Sequence, residues 1–163
     1  MAELSLTEFA SLIPRLMAQS AIAEHEALRD AALVVQKEAK DAIGHYQETS
    51  GPFVAWAELA EVTKADRVAQ GYPENEPELR TGELRDSIEY TVGAALFGEQ
   101  IAEVGSNDDV MVYQELGTEH MPPRSILGGA AARKEKEVVE ILGEAVFSAL
   151  IVQNVVNGAL RIT

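Results

Sequence analysis

The sequence predicts an α+β domain with two long amphipathic helices packed on a small antiparallel β-meander. Three observations predict it. Apolar residues recur in steps of three and four near both ends of the chain, alternating apolar and polar residues fill much of 87–117, and turn formers separate the two patterns. Strands grouped between helices, and not alternating with them, favour a two-layer α+β arrangement. The 163 residues read as a single domain. Its parts are N-terminal helices (1–50), a loop-rich segment (51–86), the meander (87–117), a Pro/Gly link (118–129) and a C-terminal helix (130–158).

The chain opens with Ser5-Leu-Thr-Glu8, a capping-box pattern for a short helix. Pro14 and Ser20 predict a break or a kink before the next segment. From Ile22 to Tyr46 the stripe Leu28, Ala32, Val35, Ala39, Ala42, Tyr46 marks a long amphipathic helix. Gly44 weakens its last turn, and Thr49-Ser-Gly-Pro52 ends it. Trp56, Leu59, Ala60 and Thr63 suit a helical turn or two. Gly71 to Pro77 is an exposed loop of turn formers and acids. Thr81 to Ile88 is expected to begin as a helical turn and then extend.

Three strands are expected next. Ser87–Val92 sets Ile88, Tyr90 and Val92 on one side, Gln100–Val104 places Ile101, with Ala102 as a further candidate, against Val104, and Val110–Leu116 alternates. Gly98-Glu99 and Ser106-Asn-Asp-Asp109 are the hairpin turns. Met121-Pro-Pro-Arg124 is extended, because each proline pushes the residue before it away from helix. The last helix runs from Ala130 to Asn157 on the stripe Val138, Leu142, Ala145, Ala149, Val152, Val156. Gly128-Gly129 before it reads as a hinge or a close-packing point.

Composition narrows the function classes. Without cysteine there is no disulfide framework, thiolate zinc site or cysteine nucleophile. The start lacks the basic and apolar regions of a signal peptide, and no stretch approaches a membrane span, so a soluble, non-exported protein is expected. The formal charge of −14 repels nucleic-acid phosphates. From Asp86 to Pro123 there is no lysine or arginine, while Asp86, Glu89, Glu99, Glu103, Asp108, Asp109, Glu115 and Glu119 fall inside that span. His25, His45 and His120 lack metal-ligand spacing, and Asp108-Asp109 lacks the ligand alternation of a calcium loop. Nucleophile-elbow, dinucleotide and phosphate-loop motifs are missing. The reading is therefore of a protein without catalysis, metal or cofactor.

Four segments do carry a family signal: Leu79-Arg-Thr-Gly-Glu-Leu-Arg-Asp-Ser-Ile88, Glu103-Val-Gly-Ser106, Tyr113-Gln-Glu-Leu-Gly-Thr118 and Met121-Pro-Pro-Arg-Ser-Ile-Leu-Gly-Gly-Ala130. In this order they resemble the neck or tail-completion proteins of long-tailed double-stranded DNA phages, a family also found in prophages and gene transfer agents. Trp56-x-x-Leu59…Thr63 resembles part of related virion-morphogenesis proteins. The resemblance spans roughly 53–130. Ser125-Ile126 stands where the family has proline-phenylalanine, and Gly129 where proline is common.

The resemblance implies an assembly protein of the virion. Copies form a ring that helps join the tail to the DNA-filled head, beside neighbouring neck, connector or tail proteins, after assembly in the host cytoplasm. Double-stranded DNA would pass without specific binding, and no membrane is involved. Motif and interface candidates are Leu79, Arg80, Thr81, Gly82, Leu84, Arg85, Tyr113, Gly117, Thr118, Pro122, Pro123 and Arg124. The corner at 79–88 also reads as a plain helix-to-strand turn with surface charge. Pro122-Pro123-Arg124 reads equally as a docking arm and as a linker. Channel-lining candidates are Glu99, Glu103, Asp108, Asp109, Glu115 and Glu119, since a negative lumen lets DNA slide. Two other classes are weighed beside this one. An acidic DNA mimic that inhibits a host nucleic-acid enzyme fits the charge, and a small hydrolase with a carboxylate pair needs an acid of raised pKa in a closed pocket.

Overall fold

A computed structural model describes residues 6–94 and 99–159. The fold is α+β. Its elements are helices α1 (Leu6–Ala42), α2 (Glu61–Ala69) and α3 (Glu83–Asp86), strands β1 (Ile88–Ala94) and β2 (Gln100–Ser106), and helices α4 (Asp109–Leu116) and α5 (Leu127–Ala159). The Ser5 part of the expected capping box and the Gly98 of the expected hairpin turn lie outside the described residues, as do the side chains of Val152 and Val156.

The central element is α1, which packs against α5 and against both strands. Arg133 pairs with Glu38, while Leu142, Ala145 and Ala149 share a cleft with Ser20, Ala27 and Leu28, so α5 runs antiparallel to α1. Small residues make the approach close, with Ala39, Ala42 and Ala130 all buried. The expected stripe residues Ala32, Ala39 and Ala42 are buried, and Leu28, Val35 and Tyr46 are half-buried. Pro14 lies inside α1 and does not divide it. Of the expected break or kink, the break is absent: the helix continues on both sides of Pro14, which takes only its own N–H out of the ladder. The helix stops at Ala42, where Gly44 takes a φ of +99° and donates its N–H to the Pro77 carbonyl at 2.8 Å.

The sheet has two strands and not the expected three. β1 and β2 pair antiparallel in an unbroken register from Ile88↔Ser106 to Ala94↔Gln100. As expected, Ile88, Tyr90 and Val92 share one side, which turns inward with Ala102 and Val104 opposite; Ile101, expected beside Val104, instead faces out with Glu89, Thr91 and Glu103, because residues three apart on a strand point to opposite faces. Val110–Leu116 is a helix. Asp108 accepts a hydrogen bond from the Val110 N–H at 2.9 Å, so the acidic run expected to turn a hairpin instead caps α4.

Trp56 and Leu59 are buried, but from an extended segment, and helix begins only at Glu61. The core joins Trp56 to Ile43, Leu84, Ile88, Met111 and Ile126, so every element except α2 and β2 supplies a buried residue to it. Gly128 sits in the first turn of α5, where an added Cβ would lie 2.5 Å from the Phe53 ring. It is a close-packing point.

Candidate functional site

Three of the four motif segments contribute to one open groove of about 590 Å³ between the α2–α3 corner, the start of α4 and the Pro-Pro segment, while Glu103–Ser106 lies apart from it on β2. Arg80, Thr81, Gly82, Leu84, Pro122 and Arg124 all line it. Each is held there by identifiable local chemistry.

At the corner, Gly82 takes a φ of +91°, which L-residues resist, and α3 starts directly after it. Thr81 Oγ1 donates to Glu83 at 3.0 Å and also accepts from the Glu83 N–H. Leu84 and Ile88 enter the core, and Leu79 packs against Gly44. Arg80 stays exposed, 5.4 Å above the Tyr72 ring and 3.0 Å from Asp66. Arg85 pairs with its neighbour Asp86 at 3.1 Å.

Beneath the groove two buried arginines tie the loops together. Arg67 donates to the carbonyls of Pro73 and Leu79. Arg124 donates to the Ala57 carbonyl through Nε and Nη2, and to Glu78 Oε1 through Nη1 at 3.1 Å. Both side chains of the Arg124–Glu78 pair are 6% exposed. The docking-arm expectation is corrected for Arg124, which faces inward and is fully engaged within its own chain. Pro122 and Pro123 remain exposed. Glu78 takes a φ of +63°, and burial pushes its carboxyl up from the ordinary glutamate range although Arg124 and Arg67 pull it back.

The third part is the turn after α4. Gly117 takes a φ of +71°, and a Cβ there would lie 2.8 Å from both the Met121 carbonyl oxygen and the Pro123 nitrogen. Thr118 and Met121 exchange backbone hydrogen bonds. Tyr113 projects from α4 to solvent. The departures from the family pattern have local explanations. Ser125 Oγ accepts from the Gly129 N–H at 3.1 Å, a donor that proline lacks, and Ile126 is completely buried.

The acidic candidates separate. Glu103 lies with Glu89 on the outward strand face, Glu99 precedes β2, and Asp109 and Glu119 are exposed. Asp108 is half-buried as the α4 cap and lines the groove. Glu115 is corrected as a channel-lining residue: its carboxylate accepts from Ser125 Oγ at 2.6 Å and from the Leu127 N–H, fixing the start of α5. Sequence reading missed Glu78, in a loop, and Arg67, on the short helix α2, since neither position gave a sign of burial.

No family model matches the chain, nor does any curated protein or solved structure. Among the described residues, no three His, Asp or Glu side chains converge as metal ligands. No helix there is long and apolar enough to cross a membrane. The histidines have ordinary partners: His25 meets Gln100, and His45 meets the Asp41 carbonyl one turn back. The open groove has apolar walls at Leu59, Leu84 and Val110 and a charged rim at Arg80, Glu83 and Asp108.

Proposed function

We propose that this protein is a structural part of a tailed-phage particle at the head–tail junction, a neck or tail-completion protein acting as one copy in a ring. The carrying observation is spatial. Three of the four segments that resemble the phage family, 79–88, 113–118 and 121–130, contribute residues to one groove, and the Arg124 N–H joins the last two by donating to the Gln114 carbonyl.

Charge supports the same reading. Glu89 and Glu103 share one outward strand face, and Glu99, Asp109 and Glu119 are exposed as well. A surface of that sign lets duplex DNA pass without settling at any register.

The experiment is an early stop codon in the gene within the phage or prophage that carries it, followed by electron microscopy of the induced lysate. Separate DNA-filled heads and unattached tails, or tails with faulty ends, are expected. Intact infectious particles would overturn the assignment and favour an acidic DNA mimic acting on a host enzyme.

A further inference from the structure

We propose that copies of this chain join through the two free edges of the hairpin, the β2 edge of one copy pairing antiparallel with the β1 edge of the next. The inference depends on the hairpin alone, so it stands or falls separately from the virion assignment.

Among the described residues the sheet has two strands, so one side of each strand is without a ladder partner. Among the described residues, no backbone group from Glu89 to Gly105 bonds to backbone outside the hairpin. The Ile88 carbonyl is the one end group taken up by a side chain, accepting from Gln36 at 2.9 Å. A row of alternating N–H and C=O groups selects another extended strand as its partner. Edges that must stay single are blunted by charged side chains, lysine above all, by proline or by a bulge. Neither strand contains lysine, arginine or proline, each carries one charge (Glu89 and Glu103, both on the outward face), and their register of seven pairs has no bulge.

The hairpin is also complementary to itself. In an antiparallel ladder, the residues whose backbone groups point away from the partner strand lie opposite one another. The free set on β1 therefore matches the free set on β2 in the register already present, and repeating that register across the joint lets every pair bond. Direction agrees, since β2 of one copy runs antiparallel to β1 of a neighbour in the same orientation. Charge agrees too. Glu89 pairs with Gly105 and Glu103 with Thr91, so the repeated register sets no two carboxylates directly opposite. The two edges differ, which makes the contact heterologous and its product a ring or a filament. The outer face of that sheet would carry Glu89 and Glu103 from every copy.

The absence of cysteine allows a direct test on the full chain. Thr91 and Glu103 are both exposed, so Thr91→Cys and Glu103→Cys place single thiols without touching the core. Under mild oxidation a mixture of the two variants is expected to give a disulfide-linked pair containing one of each, while neither variant links to itself. Self-linking by Thr91→Cys alone would mean β1–β1 pairing, and by Glu103→Cys alone β2–β2 pairing; either would overturn the proposal. So would the absence of a mixed pair at millimolar concentration. Amide exchange in the unmodified protein gives an independent reading. Alternate amides of both strands should gain protection as concentration rises, and association that left them unprotected would also overturn the proposal.

Discussion

All of Arg124's polar contacts lie within its own chain, and its backbone N–H donates to the Gln114 carbonyl at 2.7 Å as well. Removing one member of a buried ion pair leaves the other charged and unpartnered, which costs about 3–5 kcal/mol. Arg124→Ala should therefore lose about that much stability in urea denaturation. Glu78→Gln should lose less, because the amide oxygen still accepts from Nη1. The two variants also differ with pH. Burial raises the Glu78 carboxyl's pKa in the folded state, so the folded chain holds that proton more firmly than the unfolded one. Its contribution to stability is thus fully present below the ordinary glutamate pKa of about 4.3 and is lost as pH rises through the higher folded value. Stability of the parent relative to Glu78→Gln should fall across that window. A difference that rose with pH would mean that Arg124 outweighs burial. None of this was legible in the sequence. Arginine next to two prolines reads as an exposed arm, and its partner lies 46 residues away in a loop.

At the scale of elements, legibility followed the length of the pattern. The stripes of α1 and α5 run over many turns, and period alone identifies them. Eight residues of α4 are too few. Val110, Val112 and Tyr113 favour strands, and their alternation imitates one. The deciding signal was the residue in front, since Asp108 is a better helix cap than a hairpin turn residue once Val110's N–H needs an acceptor. Trp56 and Leu59 mislead differently, because an extended segment can bury large side chains at spacings that resemble a helical turn. The cap makes a prediction. Asp108→Ala should cost about 1 kcal/mol in denaturation experiments. Asp109→Ala should cost only a few tenths, since Asp109 is exposed and acts only through the helix dipole. Equal losses would show that Asp108 does not cap α4.

For the whole molecule the governing quantity is the formal charge of −14 on a chain of 163 residues. Copies bearing that charge repel one another at long range, and any assembly must overcome the repulsion through short-range contacts. The hairpin edges provide such contacts, because their backbone hydrogen bonds carry no net charge and are little affected by salt. Repulsion, in contrast, is screened over a Debye length of about 30 Å at 0.01 M salt and about 10 Å at 0.1 M. Self-association through the edges should therefore strengthen as salt is added. Sedimentation equilibrium between those two salt concentrations should show the apparent dissociation constant falling on the order of tenfold. An interface built on ion pairs would respond in the opposite sense, since screening weakens attraction between unlike charges as readily as repulsion between like ones. Association that weakened with salt would move the interface from the hairpin edges to the exposed Arg80 and half-buried Arg85 at the motif corner, or to the lysines of α1 and α5.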